Sequence, residues 1–307
     1  MVKKNSAIRA SRGDALFDVI NTLFMAVFLF VMVYPLYYTI IASVSDVNEL
    51  GLGNVYLWPR GFTLNAYKNV FINDSVWTGY RNTLIYTVFG TLYQLAVMVP
   101  LAYGLSKKNL FGRPLLTWYF LFTMYFSGGI VPTYLLMKDL GFINNPLVMI
   151  VTGISVYNMV VTRTFFSNAI PNELYESARI DGANEFRCFF QIALPLSSAI
   201  IAVMALYHAV GIWNAYFSAM IYFTKTNLFP LQLILRAILV RNQAMMTNPD
   251  FFASMSSDEQ LLMVEKARMA ETMKYAVIFV ASAPLLIAYP FVQKFFVKGV
   301  MIGSLKG

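Results

Sequence analysis

Six largely apolar stretches divide this chain, at about 18–42, 83–106, 115–137, 147–167, 196–223 and 274–296. Each is close to the ~20 residues that a helix needs to cross ~30 Å of hydrocarbon. Lipid offers no partner to peptide N–H and C=O groups, so a crossing segment must close its own hydrogen bonds, and a helix does so. The pattern predicts an all-α polytopic membrane protein with six transmembrane helices, forming one domain over 1–307. Only 12% of the residues are charged, against about 25% in soluble domains.

Charge placement sets the direction of threading. With the N-terminus in the cytoplasm, Lys3, Lys4, Arg9, Arg12, Lys107, Lys108, Arg113, Arg163, Arg179 and Arg187 share that side with the C-terminal lysines. Lys and Arg accumulate in short cytoplasmic loops, so both termini are expected to be cytoplasmic. The first apolar run, about 19–44, exceeds the about 7–15 apolar residues of a cleavable signal. It reads as a retained span, kinked at Pro35.

The same inventory excludes several functions. The net charge of +8 is scattered among the spans, which argues against a nucleic-acid partner. Cys188 is the only cysteine and His208 the only histidine, so no disulfide, multi-cysteine metal site or histidine cluster can form within the chain. His208 reads as a helix-packing residue. No G-x-x-x-x-G-K-S/T run occurs, so the chain has no P-loop for ATP. No catalytic constellation, metal site or bound cofactor is expected.

Three outer segments follow from the threading. Residues 43–82, with Trp58-Pro59-Arg60-Gly61-Phe62, read as a folded loop. Residues 138–146 make a tight connection at Asn144-Asn145-Pro146. The large outer loop 224–273 carries an apolar run from Leu228 to Val240 whose Leu231, Leu235, Ile238 and Leu239 can share one helical face. An interfacial or lid-like helix is expected there, followed by a solvated helix over 257–271.

The loop 169–195 is different in kind. Glu173, Glu176, Asp181, Glu185, Arg179 and Arg187 crowd between two spans, and charge of that density would cost several kcal/mol per group in hydrocarbon. Pro171 suits a first helical position, and Glu173 complements the dipole of a short helix bearing Leu174 and Ala178. Asp181-Gly182 ends that helix, because glycine readily takes the left-handed conformation. A second helix from about Asn184 carries Phe186, Phe189 and Phe190, and Pro195 leads into the next span. A plain connector and a peg for a partner's groove both fit the pattern; the rigid turn and the phenylalanines favour the peg.

The spacing Glu176-Ser177-Ala178, three residues, Gly182, nine residues, Ile192-x-Leu194-Pro195 resembles the "EAA" signature of ABC importer permeases, departing only at Ser177, where the pattern usually has Ala. The resemblance extends to Tyr-Pro-Leu-Tyr-Tyr in the first span, Phe126-Ser127-Gly128-Gly129, Ile180-Asp181-Gly182-Ala183, Trp213-Asn214-Ala215-Tyr216-Phe217 and the tail 298–307. It is nearest to carbohydrate permeases related to the maltose transporter's G-type subunit, in the Gram-positive branch for complex oligosaccharides. The resemblance implies a type I ABC importer permease fold in a bacterial cytoplasmic membrane. It also implies a second homologous permease, two cytoplasmic ABC ATPases holding ATP and Mg, and an extracytoplasmic solute-binding protein. Coupling to the ATPase is then expected from Glu173, Leu174, Glu176, Ala178, Asp181, Gly182, Ile192, Leu194 and Pro195.

For the substrate path, Trp213, Asn214 and Tyr216 are candidates, because an amide beside two aromatics suits a hydroxyl-rich sugar; the same trio could instead pack against a partner subunit. Gly128-Gly129 is expected to allow close helix approach. An ion-coupled transporter acting alone is the alternative. It would place ionisable residues at mid-membrane, and these spans hold few.

Overall fold

The computed structural model describes residues 12–151, 153–246, 256, 272–287, 289, 290 and 293, and all regular structure among them is helical. The chain forms two compact units, one of residues 1–70 and 242–280, the other of 71–241 and 281–307. The expected solvated helix at 257–271 and the tail 298–307 lie outside the described residues.

In the first unit, α1 (Arg12–Ser43) continues unbroken through Pro35. Its stretch Leu16–Ser43 is long and apolar enough to cross a bilayer, and its apolar side chains are largely exposed. Burial begins where it ends. Ile41 and Ala42 pack with Leu50 of α2 (Val47–Gly51) and with Val55. The following loop is pinned by its own backbone: Asp46 N–H donates to Arg60 O at 2.8 Å and Thr63 N–H to Val44 O at 2.9 Å. Tyr34 and Tyr37 hydroxyls donate to the carbonyls of Tyr56 and Leu57. The folded loop that the sequence implies covers only the first part of 43–82, because it leads to α3 (Asn65–Ile72) and then to a helix that starts at Asp74.

The second unit is built on α4 (Asp74–Ser106), capped by Asn73 Oδ1, which accepts from Ser75 N–H at 3.0 Å. Val76, Gly79, Thr83, Tyr86 and Gly90 are buried along it, the three- and four-residue spacing of one helical face. α4 packs against α7 (Leu147–Val151), α8 (Val156–Asn168) and α12 (Ser198–Trp213).

Three of the six expected spans are broken. The segment 115–137 is two helices, α5 (Arg113–Tyr125) and α6 (Ile130–Asp139), bent by 114°. The cause is Gly129 at φ 90, ψ 173, a backbone region open essentially to glycine alone. The pair Gly128-Gly129 therefore makes a corner rather than a close approach; a Cβ on Gly129 would meet nothing within 4 Å. The segment 147–167 is interrupted between α7 and α8, with Gly153 at φ 70 and Ser155 capping α8. The segment 196–223 stops at Asn214 and restarts as α13 (Tyr216–Tyr222).

The outer segment continues through a 3-10 turn (Thr226–Leu228) into a helix over Leu231–Met246, designated α14 once the loop helices α9 (Asn172–Ile180), α10 (Glu185–Cys188) and α11 (Leu194–Leu196) are numbered. The first turns of α14 pack into the second unit. Leu231, Leu233, Ile234 and Leu235 are buried, because Gly79 brings α4 against Leu231. A Cβ on Gly79 would lie 3.0 Å from Leu231 Cα and 2.6 Å from Ile234 Cδ1. The last described helix is α15 (Thr272–Ile287).

Gly79→Val should therefore destabilise the purified protein by about 1–3 kcal/mol, the usual cost of overpacking, seen as a lower unfolding midpoint in detergent. Gly104→Ala, where a Cβ meets nothing within 4 Å, should leave that midpoint unchanged or raised.

Candidate coupling loop and membrane cavity

The loop between α8 and α12 is a helix, a left-handed glycine and a second helix. Pro171 stands at the N-cap of α9, one position earlier than the sequence suggests. At the other end Ala183 N–H donates to Ala178 O at 2.8 Å and Gly182 N–H to Arg179 O at 3.0 Å. With Gly182 at φ 79, these two bonds form a Schellman C-cap, which fixes the exit direction of the chain. Asn184 Oδ1 then caps α10 by accepting from Arg187 N–H at 2.9 Å. A π-turn (Phe189–Ala193) and α11 follow. α12 then departs with a 78° bend at Ser197.

The loop has two faces. Glu173, Leu174, Glu176, Asp181, Gly182 and Pro195 are exposed, whereas Ala178, Ile192 and Leu194 are half-buried against the core. Ile180, Phe186 and Phe190 also stay exposed. Large apolar side chains beside carboxylates on an ordered loop form a surface suited to a protein partner.

The inner face is held by groups that the sequence alone does not connect. Tyr103 of α4 is buried, with its ring 5.0 Å from Phe189, 5.7 Å from Phe166 and 6.3 Å from Tyr175. Its hydroxyl donates to Glu185 Oε2 at 3.2 Å, and Glu185 Oε1 pairs with Arg179 at 2.6 Å. Lys107 Nζ lies 3.2 Å from the Tyr175 ring centre and 4.4 Å from that of Tyr103, within cation–π range. Arg113 and Arg163 Nε both donate to Leu105 O, at 2.9 and 3.1 Å, tying α5 and α8 to the last turn of α4.

The electrostatics follow from this geometry. Burial pushes the Tyr175 hydroxyl up to about 12, helped by the nearby Cys188 and Glu185. Burial lowers the Lys107 ammonium, partly opposed by Glu185. Burial alone would raise Glu185, but the Arg179 hydrogen bond and the charges of Lys107 and Arg179 win and hold it below the ordinary carboxylate range.

A cavity of about 450 Å³ opens between α4, α8 and α12. Gln94, Ser155, Asn158, Tyr207, His208 and Ser218 bring polar groups to it. His208 and Asn158 are buried, and His208 Nε2 lies 3.4 Å from Met98 Sδ. His208 therefore packs against α4, as expected, and also faces the cavity. None of the sequence candidates for the substrate path lines it. Trp213 is buried and donates to Ala281 O at 3.1 Å. Asn214 is exposed and donates to Val210 O at 3.0 Å, and Tyr216 is stacked 5.3 Å below the Arg236 guanidinium. The cavity residues come from three separate stretches, at 94, 149–158 and 207–218, so no local motif announces them.

Residues 75–302 match the family described as binding-protein-dependent transport system inner membrane component. This chain belongs to that family. It is 38% identical over 298 residues to Protein LplC of Bacillus subtilis (strain 168), covering 97% of each chain. It is 37% identical over 295 residues to the polygalacturonan/rhamnogalacturonan transport system permease protein YtcP of the same organism, covering 96% of this chain and 99% of that one. In structure it is similar to a chain of a bacterial ABC transporter involved in the import of the acidic polysaccharide alginate. The TM-score is 0.81 at 31% identity, over 94% of this chain and 99% of that one. The protein is an inner-membrane transport component with the fold of an ABC importer permease.

The depressed Glu185 carboxyl has a consequence in acid. Its ionised form favours the folded loop at every pH above the unfolded carboxylate range, and that contribution is lost as pH falls through the folded value. Amide exchange across 172–196, corrected for intrinsic rate, should stay level from about pH 7 to 5 and accelerate below about pH 4. The change should be modest, because the pair is half-exposed and screened, and absent in Glu185→Gln.

Proposed function

We propose that this chain is one of two homologous permease subunits in an ABC importer that moves an oligosaccharide into the cytoplasm. ATP, with Mg, is bound and hydrolysed by two separate cytoplasmic ATPase subunits, and an extracytoplasmic solute-binding protein delivers the sugar. The observation that carries this reading is the ordered loop 169–195. Its Schellman turn at Gly182 makes it stiff, its inner face is seated on α4, and its outer face presents Glu173, Leu174, Glu176 and Asp181. A loop that transmits a rigid-body movement must have these properties.

In this reading both termini and the loop lie on the cytoplasmic side, and six crossings are built partly from broken helices. Irregular backbone at membrane depth is tolerated where protein or a cavity covers it. The cavity favours a saccharide over an ion, because amides, hydroxyls and an imidazole suit a hydroxyl-rich ligand and no carboxylate is among its lining residues. The relatives named for polygalacturonan and alginate support a sugar as cargo. The length of the outer loop 224–273 and its expected outer side support a contact with the solute-binding protein.

Gly182→Trp should abolish uptake in cells while the protein inserts and assembles normally, since a side chain at φ 79 is strained even in open space. Normal uptake at normal assembly would remove the coupling role. Asn158→Leu, which leaves the loop untouched, should lower saccharide uptake by at least about tenfold by removing a hydrogen-bonding group from the site, with ATPase assembly retained.

A further inference from the structure

The loop has two covalent routes into the membrane, and neither is a straight lever. Toward α8 it passes through Pro171, whose backbone is extended at φ −59, ψ 138. Toward α12 it passes through the π-turn and the 78° bend at Ser197. The direct contact is the non-covalent one with α4. There Tyr103 is buried among Phe166, Tyr175 and Phe189, bonded to Glu185 and clamped by Lys107.

The other end of α4 is tied as firmly. Asn82 Nδ2 donates to Asn227 O at 2.8 Å and Phe229 O at 3.1 Å. Tyr86 hydroxyl donates to Leu228 O at 3.0 Å, and Leu231 N–H donates to Thr83 Oγ1 at 2.8 Å. Side chains of α4 thus hold the backbone of the outer segment at four points, residues 227, 228, 229 and 231. The two ends, Asn82 and Tyr103, are roughly 30 Å apart along one continuous helix at 1.5 Å per residue.

We infer that Tyr103 and Glu185 form the joint through which α4 follows the loop, so that α4 carries the loop's movement to residues 227–231 at its far end. This rests on reading 169–195 as the loop that the ATPase moves. Tyr103 and Glu185 are positioning residues: they touch neither ATP nor sugar. The hydroxyl fixes the loop's angle on α4, and Arg179 and Lys107 hold Glu185 and the rings in place around it.

The test uses the complete importer in liposomes, with both permeases and both ATPases. ATP hydrolysis is measured with and without saturating solute-binding protein, purified with the saccharide it retains. The readout is the factor by which the binding protein stimulates hydrolysis, a signal that must cross the membrane. Tyr103→Phe keeps the ring, and Glu185 is half-exposed, so both sites tolerate substitution without loss of the core. Tyr103→Phe and Glu185→Ala should each reduce the factor about fivefold, the scale of one charge-assisted hydrogen bond discounted for solvent. The double variant should be no worse than the poorer single, because both remove the same bond. Glu185→Gln, which still accepts from Tyr103, should restore most of the factor.

An unchanged factor in the single variants overturns the joint. So do multiplying effects in the double, and a fall in basal and stimulated hydrolysis in equal proportion. Gly182→Trp in the same assay separates the two levels. If it leaves stimulation intact, the reading of the loop itself fails; if it abolishes stimulation while Tyr103→Phe does not, only the joint fails.

Discussion

The larger unit depends on α4 being buried along one face and hydrogen-bonded at both ends. A helix in lipid satisfies its own backbone and gains nothing from leaving hydrocarbon for another apolar surface, so close packing and side-chain hydrogen bonds must supply the association. α4 provides both. Gly79 and Gly90 let neighbouring chains approach, with Cβ positions that would fall 2.6 and 2.7 Å from Ile234 and Ile212. Asn82, Thr83, Tyr86 and Tyr103 supply the polar ties. Asn82 is itself buried, and its amide would cost about 1–3 kcal/mol if left without a partner.

From that support the rest takes its arrangement. α8 and α12 lie against α4 and leave the polar cavity between them, and the loop joining them folds back onto the last turn of α4. The breaks at Gly153 and Asn214 turn the apolar chain beside the cavity, where Ser155 and Asn158 follow the first and Ala215 and Ser218 the second. In the proposed function, rigidity is placed where movement enters, at the capped loop, and irregular backbone is placed beside the cavity.

How much of this was legible in the sequence varies with the range of the interaction. The loop was, because its determinants are local: Glu173, the Gly182 turn and the Asn184 cap act within a few residues of one another. The membrane class was legible from composition. The corner at Gly129 was not, because one glycine at positive φ leaves the hydropathy of 115–137 unchanged. Trp213 shows the same limit. Beside Asn214 and Tyr216 it has the composition of a sugar-binding trio, yet the indole is buried and bonded to Ala281, whose position no local pattern reveals.

The amino-acid sequence by itself determined that this chain is helical, that it belongs in a membrane, and that one charged loop must stand outside the hydrocarbon. Those outcomes follow from transfer free energies and from cap chemistry, which act residue by residue or over a single turn. Only the tertiary structure decided that Tyr103 meets Glu185, that Gly79 admits Leu231, and that Gln94, Asn158 and His208 share one cavity. Each of these joins groups tens of residues apart, and it exists only once α4 has been packed on all its neighbours.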